Sequence, residues 1–584
     1  MRKTKIVCTM GPATDNEKVM RDLMIAGMDV ARLNFSHGSY EEALGRIEMI
    51  RKVREELDLP VAILLDTKGP EIRIKKFKND KIELKPGEKF TLCMNDVEGD
   101  ETQVSITYPA LTKDIKSGTK LLIDDGLIEL EALSVQSDKI ICEVKNGGVI
   151  SNSKSINIPN VSINMPYLSE KDVSDIIFGI EQDVDFIAAS FVRTAQDILD
   201  VRAVLEKNGG RNIQIIAKIE NAEGVENIDD ILRLSDGIMV ARGDMGVEIA
   251  LEDLPVIQKE LIKKTYRCGK KVITATQMLD SMIRNPRPTR AETTDVANAI
   301  YDGTSAIMLS GETAIGKYPV ETVRTMATIA ERTEKDIDYI KRSENYRLDM
   351  HMNVTNALSH ATCTTAHDLN ASAIIALTYS GGTATMVSKF RPLCPIIAPT
   401  ISKKVRRQLN LSWGVVPIMS EKRDNTDALF EHAVDCALKA NLVKDGDLVV
   451  ITGGAPIGVS GTTNIMKVHL VGNILVSGTP VTNGCVTGTV CIARNGKELA
   501  DSFHDGDIAV IDESTTEMIP ILKKAAGIIC EANGKNTHAA VVGMALDIPV
   551  ITEAKNATSI LKNGTSITLD ATQGFVYGGA VKKK

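Results

Sequence analysis

Short apolar runs alternate with amphipathic stretches over residues 1 to about 340 of the chain. This alternation is typical of βα units, and eight of them with parallel strands predict a TIM barrel, an α/β fold. Helical patterns include residues 41–57 and 194–208, and Ser169 with Asp172 predicts a helix start of the capping-box type. The eight strands are predicted to end near Cys8, Leu33, Asp66, Ala189, Lys218, Ala241, Thr274 and Leu309.

Three further domains are predicted where this pattern changes. After the third strand apolar and polar positions alternate, with turn signals such as Lys85-Pro86-Gly87, which predicts an inserted small β-barrel. A second α/β pattern follows the barrel, and the last part of the chain is rich in Gly, Thr, Val and Ile. The expected domains are a TIM barrel at residues 1–69 and 170–344, a β-barrel at 70–169, an α/β domain at 345–471 and an additional β/β/α-type domain at 472–584.

Length and composition narrow the classes of protein. The chain has 584 residues, which is too long for one hydrophobic core, so several domains are expected. Aromatic residues make up 4% and the formal net charge is -8, and both values argue against a nucleic-acid binder. The pattern predicts no membrane span and no signal peptide. The ten cysteines form no CxxC pair, so we expect neither a zinc site nor a disulfide framework. We expect the protein to be cytoplasmic.

Polar and charged residues follow six of the eight predicted strands. The carboxyl ends of the strands form the active site of a TIM barrel, so these residues are expected to converge on one mouth. For any single residue an ordinary solvated loop charge is an adequate interpretation, but the placement of the whole set is systematic. The segments are residues 32–38, 66–73, 217–221, 241–244, 274–278 and 310–313.

Lys218, Glu220 and Asp244 are the candidate centre of this mouth. Lys218 and Glu220 are two residues apart on one strand, so their side chains point the same way, and Asp244 follows the adjacent strand. Two carboxylates suit Mg²⁺, and a lysine beside the metal would stabilise a transferring phosphoryl group. A buried Lys–Glu ion pair without a metal explains the same residues, and the chemistry alone leaves both interpretations open.

Four stretches are more specific than a short glycine motif. Residues 215–221 read IIAKIEN, residues 275–279 read ATQML, and residues 4–12 and 303–313 are also distinctive. Together they resemble the pyruvate kinase family, over about residues 1–470. The resemblance implies an enzyme that catalyses the last step of glycolysis. It also implies that this enzyme is cytoplasmic, homotetrameric and allosterically regulated. Such an enzyme moves the phosphoryl group of phosphoenolpyruvate onto ADP and gives ATP and pyruvate.

The resemblance also implies roles for residues at the barrel mouth. Lys218 and Arg32 would stabilise the moving phosphoryl group. Glu220 and Asp244 would hold a divalent cation, Mg²⁺ or Mn²⁺. The substrate carboxylate would be bound by the backbone N–H groups of Gly243 and Asp244 and by Thr276.

A K⁺ site and a nucleotide site are implied in the same way. Glu71 matches the acidic position that accompanies K⁺ dependence in this family. Arg73 and Lys154 would reach the nucleotide phosphates, and because Lys154 lies in the inserted domain, we expect that domain to close as a lid. The expected K⁺ ligands are oxygen atoms of Asn34, Ser36, Asp66 and Thr67. The reaction ends when a proton is added to the enolate. We expect this proton to arrive through water, near Thr276, Ser310 and Glu312.

A candidate phosphate site follows a predicted strand of the α/β domain. Glycines and hydroxyls there can cradle a phosphate at the amino end of a helix, although an ordinary βα turn has the same composition. In pyruvate kinases the matching loop binds a phosphorylated effector. Relatives that bind a sugar bisphosphate often have a Trp and an Arg in a later loop, but residues 453–464 contain neither. We therefore expect the effector to be AMP or a sugar monophosphate. The loop residues are Thr378, Ser380, Gly381, Gly382 and Thr383.

The last domain is similar to the swivelling phosphohistidine domain of phosphoenolpyruvate-utilising enzymes. Residues 534–544 and 548–550 carry the similarity, and His538 aligns with the phosphorylated histidine. Asn533 stands where that family usually has Gly, Met544 stands where it usually has Arg, and the domain that phosphorylates the histidine is absent from this chain. We therefore expect a structural or regulatory domain with an inactive His538.

Two rival hypotheses remain for the whole chain. The first is a phosphohistidine transferase that works through His538. The second is a non-catalytic sensor on an inactive kinase scaffold. A sensor has no need to retain a complete catalytic set, and this chain retains Arg32, Lys218, Glu220, Asp244 and Thr276.

Overall fold

The computed structural model describes two compact units. The first comprises Met1–Asp368, Ala373–Cys436 and Ile451–Lys467, and the second comprises Leu369–Ser372, Ala437–Val450 and Val468–Lys584. In the part that the structure describes, no helix is long and apolar enough to cross a membrane. The described residues are 1–36, 38–339, 341, 353–423, 425–454, 463–472, 474–534 and 537–579.

Eight parallel strands close into a barrel in the first unit, as the sequence predicts. Each strand ends at the predicted residue or one residue beyond it. The strand residues are almost all buried, because side chains fill the barrel interior and helices cover its outer face. The strands are Lys5–Thr9, Val30–Asn34, Ala62–Asp66, Phe186–Ala189, Gln214–Ile219, Gly237–Ala241, Lys271–Ala275 and Ala306–Leu309.

Helices connect these strands. The helices predicted at residues 41–57 and 194–208 are confirmed. The predicted capping box is also confirmed, because Oγ of Ser169 accepts from the N–H of Asp172 while Asp172 accepts from the N–H of Ser169. The helices are Glu17–Ala26, Tyr40–Glu56, Glu170–Glu181, Ala195–Lys207, Ala222–Glu226, Ile228–Leu234, Arg242–Glu248, Leu254–Arg267, Arg290–Asp302, Gly311–Ala314 and Pro319–Glu334, with 3₁₀ turns at Pro12–Thr14 and Asp280–Ile283.

The inserted segment forms the small β-barrel that the alternating pattern predicts. Seven strands form one sheet, and an antiparallel bridge pairs Ile74 with Ile106, the residues that directly follow its two edge strands, so that the two edges meet. A two-stranded sheet, Lys81–Leu84 with Gly148–Ser151, and the helix Leu111–Asp114 complete the domain. In sheet order the seven strands are Ile72–Arg73, Ser155–Asn157, Lys120–Ile123, Ile128–Val135, Lys139–Asn146, Lys89–Cys93 and Gln103–Ser105.

A five-stranded sheet follows the barrel in the chain and confirms the second α/β pattern. The pairs of neighbouring strands from Ala373 to Met419 run parallel. In sheet order the strands are Val415–Met419, Ile396–Thr400, Ala373–Ala376, Leu448–Gly454 and Thr463–Leu470. The helices are Val354–Asp368, Gly382–Lys389, Lys403–Leu409 and Thr426–Lys439.

The helix Lys403–Leu409 is tied to the amino end of a barrel strand within the first unit. Arg407 donates from Nε to Oδ1 of the fully buried Asp185 over 2.7 Å, and from Nη2 to Asp183 over 2.9 Å. Burial raises the pKa of Asp185, and Arg407 opposes that shift. Because Asp185 directly precedes the strand Phe186–Ala189, this ion pair fixes the start of the strand whose other end lies at the barrel mouth.

The second unit contains an eight-stranded mixed sheet. Its parallel part carries the helix His538–Leu546, and its antiparallel part ends at Gly578. The strands in sheet order are Ile474–Ser477, Phe575–Gly578, Ser566–Asp570, Cys485–Ala493, Ile508–Ile511, Gly527–Cys530, Val550–Thr552 and Thr479–Pro480. The other helices are Gly496–Ser502, Ile519–Leu522 and Ala557–Ile560, with a 3₁₀ turn at Thr516–Met518. The four predicted domain boundaries remain predictions.

Candidate active site

Arg32, Asp66 and Lys218 form a buried charge network where three barrel strands end. Oδ2 of Asp66 accepts a hydrogen bond of 2.6 Å from Nε of Arg32, and Oδ1 accepts one of 3.1 Å from Nζ of Lys218. Nη1 of Arg32 also donates to Oγ1 of Thr9 over 2.9 Å. Burial alone would raise the pKa of Asp66, but the two cations outweigh burial and lower it. Asp66 is therefore an ionised carboxylate that pairs with both cations and offsets one of their two positive charges.

Glu220 lies beside Lys218 and has one unsatisfied oxygen. Its Oε2 accepts a hydrogen bond of 2.6 Å from the backbone N–H of Phe191. Its Oε1 lies 3.1 Å from Nζ of Lys218, but it accepts no hydrogen bond from any residue that the structure describes. Burial raises the pKa of Glu220 to about 7; Lys218 opposes this shift, whereas Asp244 and Asp66 add to it. This carboxyl group is short of positive charge.

The donor set around Glu220 fits a divalent cation that prefers oxygen ligands. Asp244, in the first turn of the helix Arg242–Glu248, is close enough to raise the pKa of Glu220. No group of three or more His, Cys, Asp or Glu side chains is placed to hold a metal within the described ranges. Mg²⁺ commonly takes one or two carboxylates and completes its shell with water and substrate oxygens, so Glu220 and Asp244 suffice.

Thr276 and Gly243 come together although they follow different strands. The N–H of Gly243 donates to Oγ1 of Thr276 over 2.8 Å, and Nη2 of Arg242 donates to the Thr276 carbonyl over 2.6 Å. Thr276 has φ 70° and Gln277 has φ 54°. A left-handed backbone is unfavourable for a β-branched residue and costs about 1–3 kcal/mol, so the surrounding bonds must hold it. The Thr276 hydroxyl in turn donates to the carbonyl of Ala275 over 2.7 Å, so the turn holds this hydroxyl and the Gly243 amide side by side.

The expected K⁺ ligands lie at the ends of the second and third strands. Asn34 is the direct register partner of Asp66 in the parallel pair of strands. Oδ1 of Asn34 accepts from the N–H of Ser36 over 3.1 Å, and the N–H of Thr67 donates to the carbonyl of Ala188. The register therefore gathers these residues, and their coordination of K⁺ remains a prediction.

The residues expected to contact the nucleotide lie on neighbouring elements of the inserted barrel. Nε of Arg73 donates to Glu71 over 2.7 Å, and Nη1 donates to the carbonyl of Ser153 over the same distance. Nζ of Lys154 lies 2.8 Å from Oδ1 of Asp124. Arg73 and Lys154 are thus near each other, because Arg73 contacts the residue that precedes Lys154. Each is paired with a carboxylate, which an incoming phosphate would have to replace.

Glu312 ties together the loops that follow the last two barrel strands. It accepts hydrogen bonds from the N–H of Ser310 over 2.7 Å and from the N–H of Leu279 over 3.1 Å. Burial raises the pKa of Glu312, while backbone hydrogen bonds oppose that shift. Its first role is therefore to hold Ser310 and the turn after Thr276 in place.

Comparison with known proteins agrees with this geometry. The model of the pyruvate kinase barrel domain matches residues 1–323, and that of the pyruvate kinase alpha/beta domain matches residues 356–469. The chain is 50% identical over 581 residues to the pyruvate kinases of Sporosarcina psychrophila and Bacillus licheniformis, and 51% identical over 580 residues to that of Geobacillus stearothermophilus. Each match covers 99% of both chains. The chain belongs to the pyruvate kinase family.

The loop expected to bind a pyruvate kinase effector lies in the first unit. Oγ1 of Thr378 accepts from the N–H of Gly381 over 2.9 Å, and Gly381 has φ 93°, which favours glycine. Oγ1 of Thr383 lies 3.0 Å from Oγ1 of Thr463. Thr378, Ser380, Gly382 and Thr383 line a cavity of about 390 Å³ together with Lys422 and Arg423. Residues 455–462, in which the sequence lacks Trp and Arg, lie outside the described residues.

The model of the mobile domain of PEP-utilising enzymes matches residues 503–574 and confirms the second resemblance. His538 is the first residue of its helix and is exposed. Its Nδ1 lies 3.1 Å from the carbonyl of Ser514, and Oγ of Ser514 accepts from the N–H of Ala539. Lys535 and Asn536 of the motif lie outside the described residues. That His538 is inactive remains a prediction.

Sequence reasoning missed Ser190 and Phe191. They directly follow the fourth barrel strand, and they contact Lys218 and Glu220 respectively. The sequence predicts candidate residues in the loops after six of the strands and none in the loops after the first and fourth strands. Their position at a strand end was the available signal, because a lone serine and a phenylalanine have no distinctive spacing.

We expect Glu220→Gln to weaken Mn²⁺ binding by about 100-fold, because the variant removes one of two charged ligands. Calorimetric titration of the metal-free protein measures this affinity. Glu248→Gln is the matched control, because Glu248 is a nearby, partly buried carboxyl whose Oε1 already accepts from Asn157 over 2.9 Å. Equal affinities of the unchanged chain and Glu220→Gln would contradict the assignment.

The pH dependence of the same titration gives an independent check. Burial raises the pKa of Glu220 to about 7, and a protonated carboxyl does not bind a metal. Mn²⁺ affinity should therefore be retained at about pH 8 and fall toward about pH 6. Glu220→Gln should lose most of this dependence.

Proposed function

We propose that this chain transfers the phosphoryl group of phosphoenolpyruvate to ADP and releases pyruvate and ATP. The observation that carries the proposal is the convergence of a buried cation pair, an orphaned carboxyl oxygen and a rigid hydroxyl turn on one barrel mouth. These groups belong to Arg32, Lys218, Glu220 and Thr276. Membership of the pyruvate kinase family supports the same reaction.

Lys218 and Arg32 stabilise the charge of the moving phosphoryl group. Phosphoryl transfer is catalysed chiefly by positioning and by electrostatic stabilisation, and preorganised cations in a water-poor site are most effective. Burial would lower the pKa of Lys218, but Asp66 and Glu220 outweigh it and raise the pKa, so the ammonium stays charged. Both cations are anchored by Asp66 and need little reorganisation when the substrate binds.

Thr276 and Gly243 orient the substrate. The N–H group of Gly243 donates to the hydroxyl oxygen of Thr276 over 2.8 Å, and the hydroxyl donates to the carbonyl of Ala275 over 2.7 Å. An entering carboxylate accepts from both groups by replacing these two bonds. Glu220 and Asp244 would hold Mg²⁺ or Mn²⁺, and the bound cation would supply positive charge to substrate oxygens. Loss of the phosphoryl group leaves an enolate, and the proton that makes pyruvate arrives through water near Thr276 and Ser310.

We also propose that K⁺ is required and that the inserted domain closes over the nucleotide. Asn34, Ser36, Asp66 and Thr67 supply the oxygen atoms for K⁺, and the register pairing of Asn34 with Asp66 supports this. Arg73 and Lys154 contact the nucleotide phosphates. Lid closure excludes water, which protects the phosphoryl group from hydrolysis.

Regulation by a phosphorylated effector completes the proposal. The cavity beside the loop from Thr378 to Thr383 combines hydroxyls, a glycine turn and two cations, Lys422 and Arg423, which together suit a phosphate. Arg423 is paired with Glu421 over 3.0 Å, and a phosphate would replace that carboxylate. AMP or a sugar monophosphate is the proposed ligand. The family also suggests a cytoplasmic homotetramer, and both properties remain proposals.

We expect Lys218→Met to lower kcat by about 10³-fold and to leave the affinity for phosphoenolpyruvate within about threefold, because the ammonium acts mainly in the transition state. Steady-state kinetics and equilibrium binding measure the two effects. Lys271→Met is the matched control: Lys271 is also buried, but it starts its barrel strand at the opposite end and donates to Gln214. A near-normal kcat for Lys218→Met would remove Lys218 from the mechanism.

We expect Thr383→Asp to raise the AMP or ribose-phosphate concentration for half-maximal activation by about tenfold or more, because a carboxylate repels a phosphate in the cavity. Activation at subsaturating phosphoenolpyruvate is the readout. Thr294→Asp adds the same charge at an exposed position of a barrel helix and should leave activation unchanged. Activation of Thr383→Asp like that of the unchanged chain would refute this location of the effector site.

A further inference from the structure

Ser190 contacts the proposed catalytic lysine and yet belongs to no signature segment. It directly follows the fourth barrel strand and is 1% exposed. Its Oγ accepts a hydrogen bond of 2.7 Å from Nζ of Lys218 and lies 2.6 Å from the carbonyl oxygen of Thr67 and 3.0 Å from Oδ1 of Asp66. The hydroxyl has one hydrogen, so it donates to one of these acceptors while it accepts from Lys218.

The ammonium group of Lys218 has three hydrogens and three polar neighbours. Asp66 and Ser190 accept two of these hydrogens, at 3.1 and 2.7 Å. Oε1 of Glu220 lies 3.1 Å away but forms no hydrogen bond within the described ranges. Two acceptors at fixed positions set the rotation of an ammonium group. They leave the third hydrogen without an acceptor among the described residues and free for a phosphoryl oxygen of the substrate.

Ser190 is itself held at every polar atom. Its N–H donates to Oγ1 of Thr67 over 3.3 Å, and its carbonyl accepts from the buried hydroxyl of Tyr167 over 2.9 Å. Gly69 packs against it: a Cβ at Gly69, whose φ is 72°, would lie 2.7 Å from the Ser190 carbonyl oxygen. The next residue, Phe191, has φ 55° and directs its N–H to Glu220. A bulky residue with this backbone conformation indicates strain that the surroundings maintain.

We propose that Ser190 is a positioning residue for phosphoryl transfer, which orients the ammonium group of Lys218 toward the phosphoryl group. The inference rests on the proposed function and adds a residue to it. Ser190 acts through Lys218 and touches no reacting atom. Loss of the hydroxyl leaves Lys218 charged and anchored by Asp66 but able to rotate, so the transition state loses stabilisation while substrate binding changes little.

The test compares kcat and KM for phosphoenolpyruvate among full-length variants. Ser190→Ala is expected to lower kcat by about 10- to 100-fold and to change KM by less than about threefold. Ser190→Cys keeps a weak donor and acceptor of similar size, and its kcat should lie between those of the unchanged chain and Ser190→Ala. The control is Ser235→Ala, because Ser235 is 2% exposed in the same barrel and its Oγ has no hydrogen-bond partner among the described residues. Its kcat should be unchanged.

A double-mutant cycle separates positioning from a purely structural role. If Ser190 acts through Lys218, adding Ser190→Ala to Lys218→Met should lower the remaining kcat by less than about twofold. A hydroxyl that only stabilises the fold would cause the same loss in both backgrounds. Circular dichroism checks folding, and if Ser190→Ala does not fold, Ser190→Cys takes its place in the cycle.

Each outcome decides the inference. A kcat of Ser190→Ala equal to that of the unchanged chain, or an equal loss with and without Lys218, would overturn it and leave the proposed function intact. A folded, unchanged chain that forms no pyruvate would instead overturn the proposed function, and this inference with it. If Ser190→Ala lowers kcat only when Lys218 is present, the result supports both the proposed function and the positioning role of Ser190.

Discussion

The ion pairs of Asp66 with Arg32 and Lys218 are the constraint on which the barrel mouth depends. One carboxylate holds two cations at 2.6 and 3.1 Å in a nearly fully buried site. Burial of unpaired charges costs several kcal/mol, so both cations depend on carboxylate partners, and Asp66 is the partner that they share. Glu220 adds a second buried negative charge that these pairs satisfy only in part, because one of its oxygens accepts no hydrogen bond from the described residues. A divalent cation at Glu220 and Asp244 would give this oxygen a partner.

Closure of the barrel brings these groups together from distant parts of the chain. Parallel register sets Asn34 beside Asp66, and the strand that begins directly after Asp185 ends next to Ser190. The same strand is therefore fixed at one end by Arg407 and at the other by contacts to Thr67, Tyr167 and Lys218. Catalytic side chains on strand ends are more precisely held than side chains on long loops, which suits a reaction that depends on positioning.

The strands and most of the candidate site follow from the sequence, because apolar runs mark buried strands and the barrel rule locates the site at their ends. The capping box at Ser169 is likewise a local signal. The contacts of a residue that belongs to no recognisable motif cannot be predicted from the sequence, and Ser190 is the clearest case. The left-handed backbone of Phe191 and Thr276 is equally hidden, because it is imposed by neighbours that are remote in sequence. The closing bridge from Ile74 to Ile106 requires the three-dimensional path of the inserted strands.

Cation-dependent turnover is the most direct test of the account. Purified full-length protein is supplied with phosphoenolpyruvate and ADP, with Mg²⁺ present or absent and with K⁺ present or replaced by Na⁺, while pyruvate and ATP are measured together. The account predicts that both products form at equal rates, and rapidly only when both cations are present. Rapid turnover without K⁺ would contradict the roles given to Glu71 and to the oxygens around Asp66. The absence of both products from well-folded protein, or pyruvate without ATP, would contradict phosphoryl transfer to ADP at this barrel mouth.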